Sequence, residues 1–247
     1  MKTSLLKILL LAVSLLALAG CSSRYDLAPP VGGPQVAVTI KVPEGASPKA
    51  IEAEYLSDQC FPKQHGSFNS YGSEKTKVKP VRQGDSDLYQ ARLDLDGGGF
   101  CRWRLTLVKV GVQYWRAGLL GLSGSIREEV TGSFELDHRA GNETRLSDEE
   151  LTRPQVTLRP DYYPFVFPSG SGYDAIEFVW SGDRYARSPA ARSLVFEPRV
   201  HRDMVVRVGL DDHRERTFIF PDGSVEAAGS SRKPDARKLE AMRGAVP

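Results

Sequence analysis

The residues of this chain best equipped for chemistry are its four histidines, His65, His138, His201 and His213, and its three cysteines, Cys21, Cys60 and Cys101. No two histidines stand as HxH, HxxxH or HExxH, the spacings that put two ligands on one side of a metal ion. No serine sits in the GxSxG turn that presents a hydrolase nucleophile; the glycine-serine stretches Gly118–Ser125 and Ser169–Gly172 read as loops. Carboxylates are plentiful, and Asp211-Asp212-His213 is the most suggestive cluster. It follows an alternating run and precedes Arg214, Glu215 and Arg216, as a charged hairpin loop does. Phosphate-cradling glycine loops are absent. The chain is therefore expected not to be an enzyme, with no catalytic residue, no cofactor and no metal site.

The cysteines divide into one and two. Met1–Cys21 holds Lys2 and Lys7, then an apolar run from Ile8 to Leu18 broken only by Ser14. That run is shorter than the ~20 residues a permanent membrane span needs, and it reads as a secretory signal over residues 1–20. It ends in Leu18-Ala19-Gly20-Cys21, which resembles the bacterial lipobox in full. The resemblance implies cleavage after Gly20 and lipidation of Cys21 by thioether and amide, giving a stable membrane anchor. Ser22 and Ser23 follow with no Asp at the second position, which by resemblance to bacterial sorting implies the outer membrane, facing the periplasm. Cys60 and Cys101 remain as a pair in a compartment where disulfides persist. Their wide separation and the lack of a CxxC spacing disfavour a metal site, and they are predicted to form a structural disulfide. A bridge closing that loop contributes about 4 kcal/mol in the chain-entropy model.

Charge narrows the partners. The chain has 33 Lys plus Arg and 31 Asp plus Glu, a formal +2. Without Lys2 and Lys7 the mature chain is neutral, which disfavours a general nucleic-acid binder. The expected partners are a membrane, through the anchor, and another protein.

The elements that would carry these residues are strands. Residues 21–35, with Pro29, Pro30, Gly32, Gly33 and Pro34, read as a lipidated tether. Period-two alternation then runs through Val36–Val42, Ile51–Leu56 and Tyr89–Leu95, and again from Cys101 to Leu107 across an Asp96-Gly97-Gly98-Gly99 turn. The last two runs predict a β-hairpin with Cys101 and Trp103 on its buried face. Weaker strands are predicted at Glu129–Leu136, Gln155–Arg159, Pro164–Phe167, Ala175–Trp180, Leu194–Phe196, Met204–Leu210 and Thr217–Phe220. Leu146–Leu151 is at most one helical turn. No long amphipathic helix is predicted; Asp235–Met242 offers a short helical stretch, but residues 227–247 as a whole read as a polar, disordered tail. The fold class is all-β, mainly antiparallel: a β-sandwich, immunoglobulin-like or enlarged, with residues 36–226 as the body. Pro154, Pro160 and Pro164 mark a potential boundary near 140–160, which leaves one enlarged sandwich and two β-subdomains both open.

Recognition surfaces are easier to find than catalytic ones. Tyr114, Trp115 and Arg116 lie in a glycine-spaced stretch, and Tyr162, Tyr163 and Phe165 form a second aromatic cluster. Tyr, Trp and Arg dominate binding hot spots, so these six residues are the candidate partner contacts. Filling the core at sandwich corners is the competing role for both segments, and the polar loops Asp58–Glu74, with Phe61, His65, Phe68 and Tyr71, and Asp183–Arg192 are alternative contact surfaces.

Trp103 beside a disulfide resembles immunoglobulin-like sandwiches in architecture, although the spacing differs. More specifically, Cys101-Arg102-Trp103-Arg104-Leu105, a C-x-W-x-L run preceded by a lone Cys60, resembles periplasmic lipoproteins that serve as immunity proteins against type VI secretion phospholipase effectors. The resemblance covers the first half of the body. It implies an outer-membrane lipoprotein that binds and blocks a secreted lipase toxin. An envelope structural or assembly lipoprotein is the alternative, with a periplasmic hydrolase behind it.

Overall fold

The computed structural model describes residues 25–60, 72–137, 152–168 and 174–244. Cys21 and the signal lie outside the described residues, as do Phe61, His65, Phe68, Tyr71, His138 and the Leu146–Leu151 turn. The regular structure of the described chain is almost wholly strand, in three sheets of mixed polarity.

The first sheet runs Gln155–Leu158 (β11), Ser193–Phe196 (β15), Gln35–Lys41 (β1), Leu88–Asp94 (β6) and Val81–Arg82 (β5). The second runs Tyr185–Arg187 (β14), Val130–Glu135 (β10), Trp103–Gln113 (β8), Ile51–Ser57 (β3) and Gly72–Val78 (β4). The short strands Ser47–Pro48 (β2) and Asp96–Gly98 (β7) also pair with β8. Alternation does what the sequence requires of it. Val36, Val38 and Ile40 of β1 and Ile51, Ala53 and Tyr55 of β3 join one core that both sheets share.

The third sheet runs Val225–Ala227 (β19), Arg216–Ile219 (β18), Val206–Leu210 (β17), Asp161–Pro168 (β12), Asp174–Ser181 (β13) and Ser125–Ile126 (β9), with Arg199–Val200 (β16) also against β12. Its centre is covered on both faces. Tyr162 and Val166 enter the main core, whereas Tyr163 and Phe165 enter a second, smaller one. A strand buried on both sides reads as an unbroken apolar run, as Tyr162–Phe167 does. Pro164 is tolerated because β12 changes parallel partner there: β16 pairs with Asp161 and Tyr162, β17 with Phe165 and Val166, and neither pairs with Pro164.

Three expectations change. The predicted hairpin is a sheet-switching corner instead: β6 pairs with β1 in the first sheet, β8 with β3 and β10 in the second, and only β7 folds back on β8. Alternation fixes which face of a strand is buried but not which strand lies beside it. Strands from both sides of the predicted 140–160 boundary share sheets, since β11 and β15 complete the first sheet and β14 the second, all by parallel pairing. The segment expected to be a disordered tail shares Ala227 with β19 and holds a helix, Ala236–Gly244 (α1). Asp235 caps its start, accepting the Arg237 N–H at 2.9 Å. Ala236 and Leu239 are buried in the second core, with Met242 packed against it. Three apolar residues at threefold spacing are enough to dock a helix, but too few to stand out in a polar segment.

Candidate functional site

Cys60 and Cys101 stand at disulfide-bonding distance, with Cα atoms 5.3 Å apart. Both are buried, and they lock the end of β3 to the start of β8. Ser57 Oγ donates to the Cys101 carbonyl at 2.5 Å and accepts the Cys60 N–H at 3.0 Å. Residues 25–28 are fastened at the same corner. Trp103 Nε1 donates to the Tyr25 carbonyl at 3.0 Å, the Ala28 N–H donates to Gly97 at 2.8 Å, and Leu27 packs on the main core. Gly98 makes this possible. Its φ of +57° suits glycine, and a Cβ there would lie 2.1 Å from the Ala28 carbonyl oxygen.

From this corner β8 runs eleven residues, about 35 Å at strand rise, to the loop that carries Tyr114, Trp115 and Arg116. The three side chains part company. Tyr114 is buried, its ring 6.4 Å from that of Phe178. Burial pushes its phenol above the ordinary value, with Arg202 opposing. Trp115 is 76% exposed and Arg116 is exposed beside it. A 3₁₀ turn, Ala117–Leu120, follows. It is anchored by buried Ala117 and Leu120 and closed by Gly121 in the left-handed region. The Leu122 N–H returns to Ala117 at 3.0 Å, and the chain then joins the third sheet at β9. The loop is thus held to two sheets while its indole points outward. A large exposed aromatic on a fixed loop is what a binding hot spot requires.

The second aromatic cluster is interior. Tyr162, Tyr163 and Phe165 are all buried, so none presents a contact surface, and filling the core is their role. Tyr162 donates to the Thr131 carbonyl at 2.5 Å, and burial pushes its phenol up to about 12, as it does that of Tyr55. Neither can exchange a proton near neutral pH.

Asp211-Asp212-His213 forms the turn between β17 and β18. The Asp211 carboxylate accepts the N–H groups of His213 and Glu215 at 2.9 and 2.8 Å, which fixes a loop without assembling a catalytic site. Of the described histidines, His201 is the one whose ring meets a carboxylate. Asp161, its side chain 6% exposed, meets His201 Nε2 at 2.7 Å, Arg199 at 3.0 Å and Arg243 of α1 at 2.7 Å. Tyr163 stacks on the His201 ring with centroids 4.9 Å apart. Burial works to raise the Asp161 carboxyl, but the hydrogen bonds from His201 and Arg243 and the charge of Arg199 outweigh it and hold the group below the usual range. The cluster is a clamp: it fastens the last turn of the terminal helix to the third sheet. These partners lie 38, 40 and 82 residues from Asp161, and no local pattern marks them.

No family model, curated protein or solved structure matches this chain. Among the described residues, no group of three His, Cys, Asp or Glu side chains is placed to hold a metal ion, and no helix is long and apolar enough to cross a membrane. Of the six candidate contacts, Trp115 and Arg116 are the two the fold leaves on the surface.

Proposed function

We propose that this protein is a lipid-anchored envelope lipoprotein that works by binding another protein. In the most specific reading it is an immunity protein that blocks a type VI secretion phospholipase effector. The observation that carries the binding role is Trp115, 76% exposed on a loop held to two sheets, with Arg116 beside it. Burying an indole of this kind on a partner removes some 200 Å² of surface at little entropic cost, because its loop is already ordered.

The tether supports a definite orientation. Four Cα-to-Cα steps, over Ser22, Ser23 and Arg24, separate Cys21 from Tyr25, whose carbonyl is bound by Trp103, so a lipid on Cys21 would hold the disulfide corner within about 14 Å of the membrane surface. The Trp115 loop lies at the far end of β8, so the anchor and the binding tip occupy opposite ends of one strand. Tethering also raises the effective concentration of the inhibitor where a lipase must act.

The test is competition between sibling cells. Cells lacking the protein are expected to be killed by siblings that deliver the phospholipase, and cells carrying Trp115→Ala with Arg116→Ala to lose most of their protection at unchanged protein level. Survival of the deletion strain equal to wild type would end the immunity reading and leave an envelope assembly role, with a constitutive partner, in its place.

A further inference from the structure

The face of the third sheet that bears the second core also holds a concave site of about 570 Å³, beside the segment that leads into α1. Its apolar floor is Phe167 and Val208, both half-buried, backed by the buried ring of Phe165, which stacks on Phe167 at 5.9 Å. Glu177 is the one acid in its lining, and Lys233 answers it at 3.8 Å while also reaching Glu128 at 2.5 Å. Arg216 and Arg232 complete the wall, both exposed. The Arg127 guanidinium lies over the Phe167 ring, 5.7 Å from its centroid. Among the described residues, none of these three arginines has an ion-pair partner.

The site therefore combines an aromatic floor with guanidinium charge that its own acids do not balance. A volume of this order lies within the ~300–1,000 Å³ of small-molecule sites. An uncharged apolar ligand would fill the floor but leave the arginines without counter-charge. Inorganic phosphate would meet the arginines but leave the floor empty. Guanidinium forks match carboxylate and phosphate geometry, and their flat faces pack on aromatic rings. We propose that this is a binding site for a free amphiphilic anion: a carboxylate or phosphate monoester on a short acyl or aryl body, with its head between Arg216 and Arg232 and its body on Phe167 and Val208. The same head group in a bilayer is a poorer match, because its apolar part stays in the membrane and the floor is left unfilled.

The test uses the full chain carrying Cys21→Ser, which removes any attached lipid, titrated calorimetrically with octyl phosphate below its micellar concentration. Octyl phosphate is expected to bind saturably with one site per chain, at least tenfold more tightly than octyl glucoside or inorganic phosphate. Arg216→Gln with Arg232→Gln should weaken octyl phosphate at least tenfold without moving the melting temperature, since both side chains are exposed. Equal binding of octyl glucoside, or undiminished octyl phosphate binding by the double variant, would overturn the proposal. So would arginine-dependent binding of phosphatidylglycerol vesicles in the absence of octyl phosphate binding.

Discussion

Both ends of the described chain are fastened to the body, but by different physics. At the amino end, Tyr25–Ala28 lies on a corner built from the Cys60–Cys101 pair, the Trp103 indole and a glycine turn. At the carboxyl end, α1 is held by an apolar side chain, Leu239, and by a buried carboxylate, Asp161, that gathers His201, Arg199 and Arg243. The first fastener acts largely by restricting the unfolded chain. The second acts in the folded state, where a desolvated charge is tolerated only while its partners are present. One should therefore survive acid and fail under reductant, and the other should do the reverse.

The largest effect is expected from Cys60→Ala with Cys101→Ala, which should lower unfolding free energy in urea by up to about 4 kcal/mol. Reduction of the wild type should reproduce that loss. Asp161→Asn comes next, at about 2–4 kcal/mol, because it leaves two guanidinium groups beside a neutral side chain. Its pH dependence separates it from the disulfide. The folded Asp161 carboxyl is held below its unfolded value, so its contribution is complete above the unfolded value of ~4 and drains away as the pH falls through the lower folded one. The gap between wild type and Asp161→Asn should accordingly close toward pH 2, whereas the gap opened by cysteine removal should persist. Leu239→Ala should cost about 2 kcal/mol and speed amide exchange in α1 before the sheets are affected. Trp115→Ala should change stability by less than about 0.5 kcal/mol, as its side chain is exposed, while weakening partner binding.

The same contrast explains what could be read in advance. Where one face of a strand is wet, period-two alternation marks it, and β1, β3 and β6 follow their predicted runs closely, while β8 runs on six residues past its predicted end at Leu107 to Gln113. The disulfide pair and the core position of Trp103 follow from the same pattern, together with the count of cysteines. Pairing is not written that way. The corner between β6 and β8 has the residues of a hairpin turn, yet each strand takes its neighbours from elsewhere. The parallel partners β15, β14 and β16 come from distant segments with short, weak patterns. Strand β4, Gly72–Val78, carries no such signal because it is an edge strand of mostly polar residues, whose Glu74, Lys75 and Lys77 leave neither face apolar. Of the site, Trp115 and Arg116 were legible as residue types, but only the fold distinguishes an exposed Trp115 from the buried Tyr114 next to it. The Asp161 clamp was not legible at all, since its members are brought together only by β12, β16 and α1.

The most direct measurement is the affinity of the lipid-free Cys21→Ser chain for the type VI phospholipase that sibling cells deliver, with lipase turnover followed in the same samples. The account predicts a one-to-one complex that abolishes turnover and is weakened at least thirtyfold by Trp115→Ala, about 2 kcal/mol on the scale of binding hot spots. A complex of unchanged strength in that variant, or no complex with the lipase, would contradict it.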